Sequence, residues 1–325
     1  MKANFLAFAG LASLALAGLP MAAQGQDDYP NRQVRIIVGS SAGGTADTLS
    51  RLIAENLTKS LGQTFYVENM PGAGGALAST TVAQSEPDGY TLQFAFISSH
   101  SILPNLNKDL EYDPIADFAP VAVISYSPNV LLANPAFGVT TVEELVAKLQ
   151  AAPGEYDFGS AGLGGSQHLA TELFLQATGT EAVHIPYTGS GELLPALLAN
   201  QVPFAFDTMT TAVPHIESGA LIALGVSGAE RSTVLPDAPT IAETVPGFEV
   251  TAWNGVLAPA GTSPDIIAKL NTAINDYLGS DEGTAFLARL GTIPGSGGPE
   301  VLGDLIKSDL AKFGKIIEDA NITME

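Results

Sequence analysis

The chain of 325 residues has no cysteine. That absence excludes disulfides, thiolate metal sites, a cysteine nucleophile and a lipid-bearing N-terminal cysteine together. Cations are scarce as well: 13 Lys and Arg stand against 34 Asp and Glu, for a formal net charge of −21. A surface of that sign repels nucleic acid and anionic membrane, so neither is expected as a partner, although net charge does not set the charge of a pocket. Histidine is sparse, and His100, His168, His184 and His215 show no H-x-x-x-H or H-E-x-x-H spacing, so no metal or other cofactor is expected. Among them His168 and His100 are the best placed by their loops to meet a ligand. Beyond the first 20 residues no run is long and apolar enough to span a bilayer.

The first 25 residues differ from the rest. Lys2 precedes an uncharged apolar run from Phe5 to Leu19, followed by Pro20 and the small-residue stretch Ala22-Ala23-Gln24-Gly25. Basic, apolar and small-residue regions in that order read as a secretory signal peptide over residues 1–25, with cleavage after Gly25 favoured over Ala23. An exported chain without disulfide or lipid anchor suits the bacterial periplasm.

From Tyr29 onward short apolar runs alternate with amphipathic patterns, which predicts an α/β fold with a parallel sheet covered on both faces. Strand Val34–Val38 leads through "GSSAGGTAD" to a helix carrying Leu49, Leu52, Ile53, Leu57 and Leu61 on one face and closed by Gly62. Val121–Ala133 reads as two strands interrupted at Ser127-Pro128, a crossing between lobes. A second unit repeats the first: Tyr156–Phe158, then "GSAGLGGSQH", then a helix with Leu169, Leu173, Phe174 and Ala177 stopped at Gly179. Both loops precede a helix that Thr45 or Ser166 would cap, and both offer free N–H groups at a helix start.

"GSSAG" (Gly39–Gly43) also fits G-x-S-x-G, the elbow of a serine hydrolase with Ser41 as nucleophile. Acidic residues and then His184 or His215 follow in the required order. Against this, the elbow would sit on the first strand, leaving no earlier loop for the second oxyanion donor. No G-x-x-x-x-G-K-[ST] and no complete G-x-G-x-x-G occurs, which disfavours nucleotide binding. Binding without chemistry remains. The loops Gly39–Asp47, Gly159–His168 and Tyr187–Glu192 are rich in Ser, Thr and Gly and hold no Lys or Arg, so a small carboxylate would be gripped by backbone N–H groups, hydroxyls and bridging waters. The bland alternative is that the glycines only make tight turns.

Taken together, "YPNRQVRIIV", "GGTAD", "VENMPGAGG", "EPDGYTL", "DFAPVAVI", "FGSAGLGGSQHLATELF", "HIPYTGSG", "LPDAPTIAE" and "WNGVLAPAGTSPDIIAKLN" closely resemble the Bug family, solute receptors of tripartite tricarboxylate transporters. The resemblance implies a two-lobe, type II periplasmic binding protein whose cleft closes on di- or tricarboxylates, aromatic acids or amino acids and delivers them to a membrane permease. A monomer is expected, and a role as signalling partner of a sensor kinase is equally compatible. Carried over by position, the ligand contacts would be Ser40, Ser41, Gly43 and Gly44 in one lobe and Ser160, Gly162, Gly164 and Ser166 in the other. Tyr187 and Thr188 stand where the family usually reads Pro-Tyr-Lys-Gly; here "PYTG" lacks the cation. Asp207 and Ser99 lie at strand ends that face a cleft by the rule for α/β sheets. Asp47 matches a common acidic position and reads primarily as a helix-start carboxylate, and Trp253 as packing near the hinge. Lobe I is expected to comprise residues 26–126 and 248–325, and lobe II 127–247.

Overall fold

A computed structural model describes residues 29–187, 189–320 and 322–323; the expected signal peptide and Thr188 lie outside the described residues. The first half runs β1 (Val34–Val38), α1 (Thr45–Leu61), β2 (Phe65–Asn69), α2 (Ala76–Ala83), β3 (Thr91–Phe96), α3 (Leu103–Leu106) and β4 (Phe118–Ala133). The middle runs α4 (Val142–Ala151), β5 (Asp157–Ser160), α5 (Ser166–Thr178), β6 (Val183–Pro186), α6 (Ser190–Leu198), β7 (Phe204–Thr208), α7 (Met209–Glu217) and β8 (Ile222–Val226). The chain then returns through β9 (Thr251–Pro259), α8 (Pro264–Leu278), α9 (Asp281–Arg289), β10 (Ile293–Pro294) and α10 (Pro299–Asp319).

The helices form where the apolar period dictates. In α1, Leu49, Ile53 and Leu57 recur at i, i+4 and i+8 and are buried, and Gly62 ends the helix in the left-handed region. In α5, Leu169 and Phe174 are buried and Gly179 makes the same stop.

The strands follow the order β2-β1-β3-β9-β4-β7-β5-β6, with β8 and β10 also pairing β4. β1 is parallel to β2 and β3, and β5 to β6 and β7, as expected of strand-helix-strand units. All pairings of β4 and β9 are antiparallel, so the sheet is mixed rather than parallel.

The expected break at Ser127-Pro128 does not occur. β4 is one strand of 16 residues: Phe118 to Pro128 pairs with β9, and Asn129 to Ala133 lies between β7 and β8. The position of the crossing is as expected, but the backbone stays extended, because a proline at a change of partner removes no ladder donor that a neighbour requires. One apolar cluster joins β1, α1, β3, the start of β4 and α8, and another the end of β4, α6, β7 and β8.

Candidate functional site

The starts of α1 and α5 open into one cavity of about 200 Å³. Thr45 and Ala46 line it from α1, Ser166 from α5, Phe96 and Ser98 from the end of β3, and Thr208, Met209 and Thr210 from the junction of β7 and α7. Its base is the crossing itself, with Ser127, Pro128, Ala252, Trp253 and Asn254, and its rim is closed by Leu290, Gly291 and Thr292 after α9. None of the lining side chains is ionisable. The Ser127 hydroxyl is buried with no partner.

Neither helix is capped as expected. The caps are Gly44 and Gly165, in extended conformation and without a side-chain bond, while Thr45 and Ser166 stand one position inside. The correction matters for chemistry: a threonine or serine cap would occupy the N–H groups that an anion needs.

The "GSSAGG" loop is held by a brace. Asp47 is buried and accepts from the Gly43 N–H at 2.9 Å, from the Arg51 guanidinium at 2.9 and 3.1 Å, and from the Asn69 amide at 2.9 Å. Asn69 also donates to the Ser40 carbonyl. The Arg51 hydrogen bond, helped by Gly43 and Asn69 against the cost of burial, holds the Asp47 carboxyl at about 2. Gly39 is required by a backbone approach, since a Cβ there would lie 2.7 Å from the Gly75 Cα.

The opposing loop is held by imidazoles. Ser160 is fully buried and its hydroxyl meets His184 Nε2 at 2.7 Å and the Gly162 carbonyl at 3.1 Å. The Gly164 N–H donates to His168 Nδ1 at 3.1 Å. Gly164 has φ +68 and lies against Leu106, so only glycine fits.

Among the residues expected from sequence, Ser166 lines the cavity. Ser41 and Gly44 are exposed and do not line it, Gly44 being the neighbour of lining Thr45, and Ser40 is half-buried with an unpartnered hydroxyl. Gly43, Gly162 and Gly164 direct their N–H groups into the loops themselves, to Asp47, Ser160 and His168. Tyr187 is half-buried and its N–H donates to the Ser160 carbonyl.

Four residues that the sequence places near a ligand are buried and do not line the cavity. Ser99 is interior, its hydroxyl bonded to the Phe96 carbonyl and to His100 Nδ1, because the chain after β3 makes a π turn, Ser98–Ile102, that leaves Ser98 at the cavity instead. Asp207 is fully buried and satisfied by Ser190 at 2.6 Å, the Thr208 N–H at 2.8 Å and Thr211 at 3.0 Å, with burial raising its pKa. It organises the α6 and α7 starts rather than facing the cavity. His100 and His168, the histidines expected nearest to ligand, are both in the interior. Thr208, Thr210, Ser127 and Asn254 were missed; only their places at strand ends and at the crossing signalled them.

No histidine is hydrogen-bonded to Ser41 among the described residues. His184 bonds Ser160, and His215 stands at the far end of α7, so the hydrolase arrangement is not present.

Comparison with known proteins gives the family and the fold. The sequence profile of the tripartite tricarboxylate transporter family receptor matches residues 49–322. Protein BugT of Bordetella pertussis is 34% identical over 323 residues, covering 99% of this chain and 96% of BugT. The R. palustris protein Rpa4515, in a structure with adipate, superposes with a TM-score of 0.80 at 37% identity, covering 91% of this chain and 99% of that one. MatC of Rhodopseudomonas palustris, with bound malate, gives 0.75 at 34% identity, covering 89% of this chain and 100% of MatC. The α/β architecture is that of the two-lobe periplasmic binding proteins. The chain belongs to the Bug family of tripartite tricarboxylate transporter receptors, and it is a solute-binding protein.

Proposed function

We propose that this receptor captures a small carboxylate in the cavity between the starts of α1 and α5 and hands it to a membrane permease in the periplasm, with no bond made or broken. One observation carries the reading: two helix starts without side-chain caps, Gly44-Thr45 and Gly165-Ser166, meet in a cavity lined by no ionisable side chain. Unoccupied N–H groups and two partial positive charges favour an anion, and the absence of a counter-cation assigns the grip to hydroxyls, N–H groups and waters.

Ser40, Ser41, Gly44 and Ser166 are the proposed contacts among the residues expected from sequence, joined by Thr45, Ala46, Ser98 and Ser127. Thr188 stays a candidate by its position in "PYTG". Lobe boundaries at 126/127 and 247/248 are supported by the change of partner along β4 at Pro128 and Asn129 and by the start of β9 at Thr251. Residues 1–25 are read as the export signal, and the working form as a monomer.

Thermal-shift and calorimetric screening of the chain from Gln26 against adipate, malate, an aromatic acid and an amino acid tests the reading. Saturable stabilisation by at least one acid is expected. Silence across the whole set overturns it.

A further inference from the structure

Beneath the second jaw two imidazoles lie face to face. The rings of His168 on α5 and His184 on β6 are 3.8 Å apart at 10°, with Phe158 of β5 stacked on His184 at 4.9 Å. Each ring holds a different part of the Gly159–Ser166 loop: His184 Nε2 bonds the Ser160 hydroxyl, and His168 Nδ1 accepts the Gly164 N–H. A backbone N–H can only donate, so the bond from Gly164 fixes Nδ1 of His168 without a proton and places its single proton on Nε2, toward Glu172 Oε1 at 3.5 Å. A second proton on that ring would set two donors against each other at Gly164 and a charge against the stacked partner.

From this arrangement we infer that His168 and His184 are a positioning pair, a neutral imidazole stack that sets the shape of the second ligand loop and releases that shape when it is protonated. The inference rests on the reading of Gly159–Ser166 as a ligand jaw. Neither histidine lines the cavity, so the pair acts on the loop rather than on the solute, and acid gains a specific point of action.

The surroundings support it. The groups facing His168 are Glu172 on its own helix, His184 from β6 and apolar Phe158 from β5. Burial, with His168 second, pushes His184 down to about 3. An imidazole kept neutral in the fold contributes stability that is present above its ordinary value of 6.5 and is lost as pH falls from there toward about 3. His100, equally low but buried elsewhere, weakens the whole fold over the same range and has no bond to this loop.

Two independent readouts test the pair. In the ligand-free protein, nitrogen NMR follows the imidazoles and the Gly164 amide as pH is lowered. Loss of Gly164 exchange protection in step with proton uptake is expected; uptake of that proton with the Gly164 amide unmoved overturns the inference. Calorimetry with adipate compares the wild type with His168→Gln, which offers Gly164 an amide oxygen, and His168→Phe, which offers nothing. His168→Phe is expected to bind about tenfold more weakly, the usual scale for orphaning a buried donor, while His168→Gln stays close to wild type near neutral pH and weakens less than the wild type in acid, because His184 alone of the stack is left to take up a proton.

Wild-type affinity and pH profile in His168→Phe would refute the pair. Should that variant fail to fold by circular dichroism, a His168→Gln profile that copies the wild type refutes it equally. If no acid of the screened set binds any form at any pH, the functional reading falls while the Gly164 measurement still decides on the stack.

Discussion

Asp47 and Asp207 carry the same group into opposite electrostatics. Asp47 is bonded to a guanidinium and held at about 2, so its contribution to stability is present above the ordinary 3.8 and disappears as pH falls from there to about 2. Arg51 is half-exposed, which limits the pair. Asp47→Asn is therefore expected to lower stability by about 1–2 kcal/mol near neutral pH, and by much less in strong acid. Urea unfolding of both proteins at the two pH values checks this; an equal deficit at both would show that the charge is not the cause. Asp207 has no cation, and burial outweighs its donors and raises its pKa. Its favourable contribution lies in acid and is lost as pH rises through the raised value. Asp207→Asn should gain on the wild type as pH is raised from about 3.5 to 7, a trend visible in paired thermal melts. The sequence places Asp47 at a helix start and Asp207 at a strand end, but not their distant partners. "GGTAD" announces a carboxylate at a helix start, but Asn69, 22 residues away, and Gln167, 40 residues away, enter only through the fold.

At the scale of elements, the clean periods were the readable ones. β1 has the bounds Val34–Val38 that the sequence pattern predicts, because it is an apolar run between strong breakers. α7 and α9 were missed for a physical reason. Pro214 sits inside α7 and Gly283 inside α9, so propensity argues against helices that packing nonetheless completes. The helix caps were misassigned because serine and threonine are the better caps and the chain uses glycine. That substitution can be tested directly. Gly44 has φ −80 and ψ 174, and a Cβ there would meet only the Ser41 carbonyl, at 3.8 Å, so a larger residue fits. Gly44→Asp would place a carboxylate over the Ala46 and Asp47 N–H groups. The ligand-free variant should melt at or slightly above the wild-type temperature, and carboxylate affinity should fall by about tenfold or more as cap and ligand compete. A variant that binds as well as the wild type would remove the start of α1 from the site.

Across the whole molecule, β4 and β9 are the strands through which the halves of the sheet are joined, and the rim of the cavity adds a separate link. Thr210 at the start of α7 donates to the Leu290 carbonyl after α9 at 2.7 Å, and Met209 packs against Gly291 beside it. Both sides of this link line the cavity, so parting them opens it. Thr210 is exposed, and a single exposed hydrogen bond adds little to global stability, within about 0.5 kcal/mol. It can still govern escape of a bound solute, because most affinity differences among related complexes arise in dissociation. The chain carries its own reporter: Trp253, the only tryptophan in the sequence, is buried at the base of the same cavity with its indole N–H on Asp309. In stopped-flow displacement of a bound acid followed by Trp253 fluorescence, Thr210→Val should release solute several times faster than the wild type, at unchanged association rate and unfolding midpoint. Equal release rates would mean that the rim bond is incidental and that closure is set at the crossing of β4 and β9 alone.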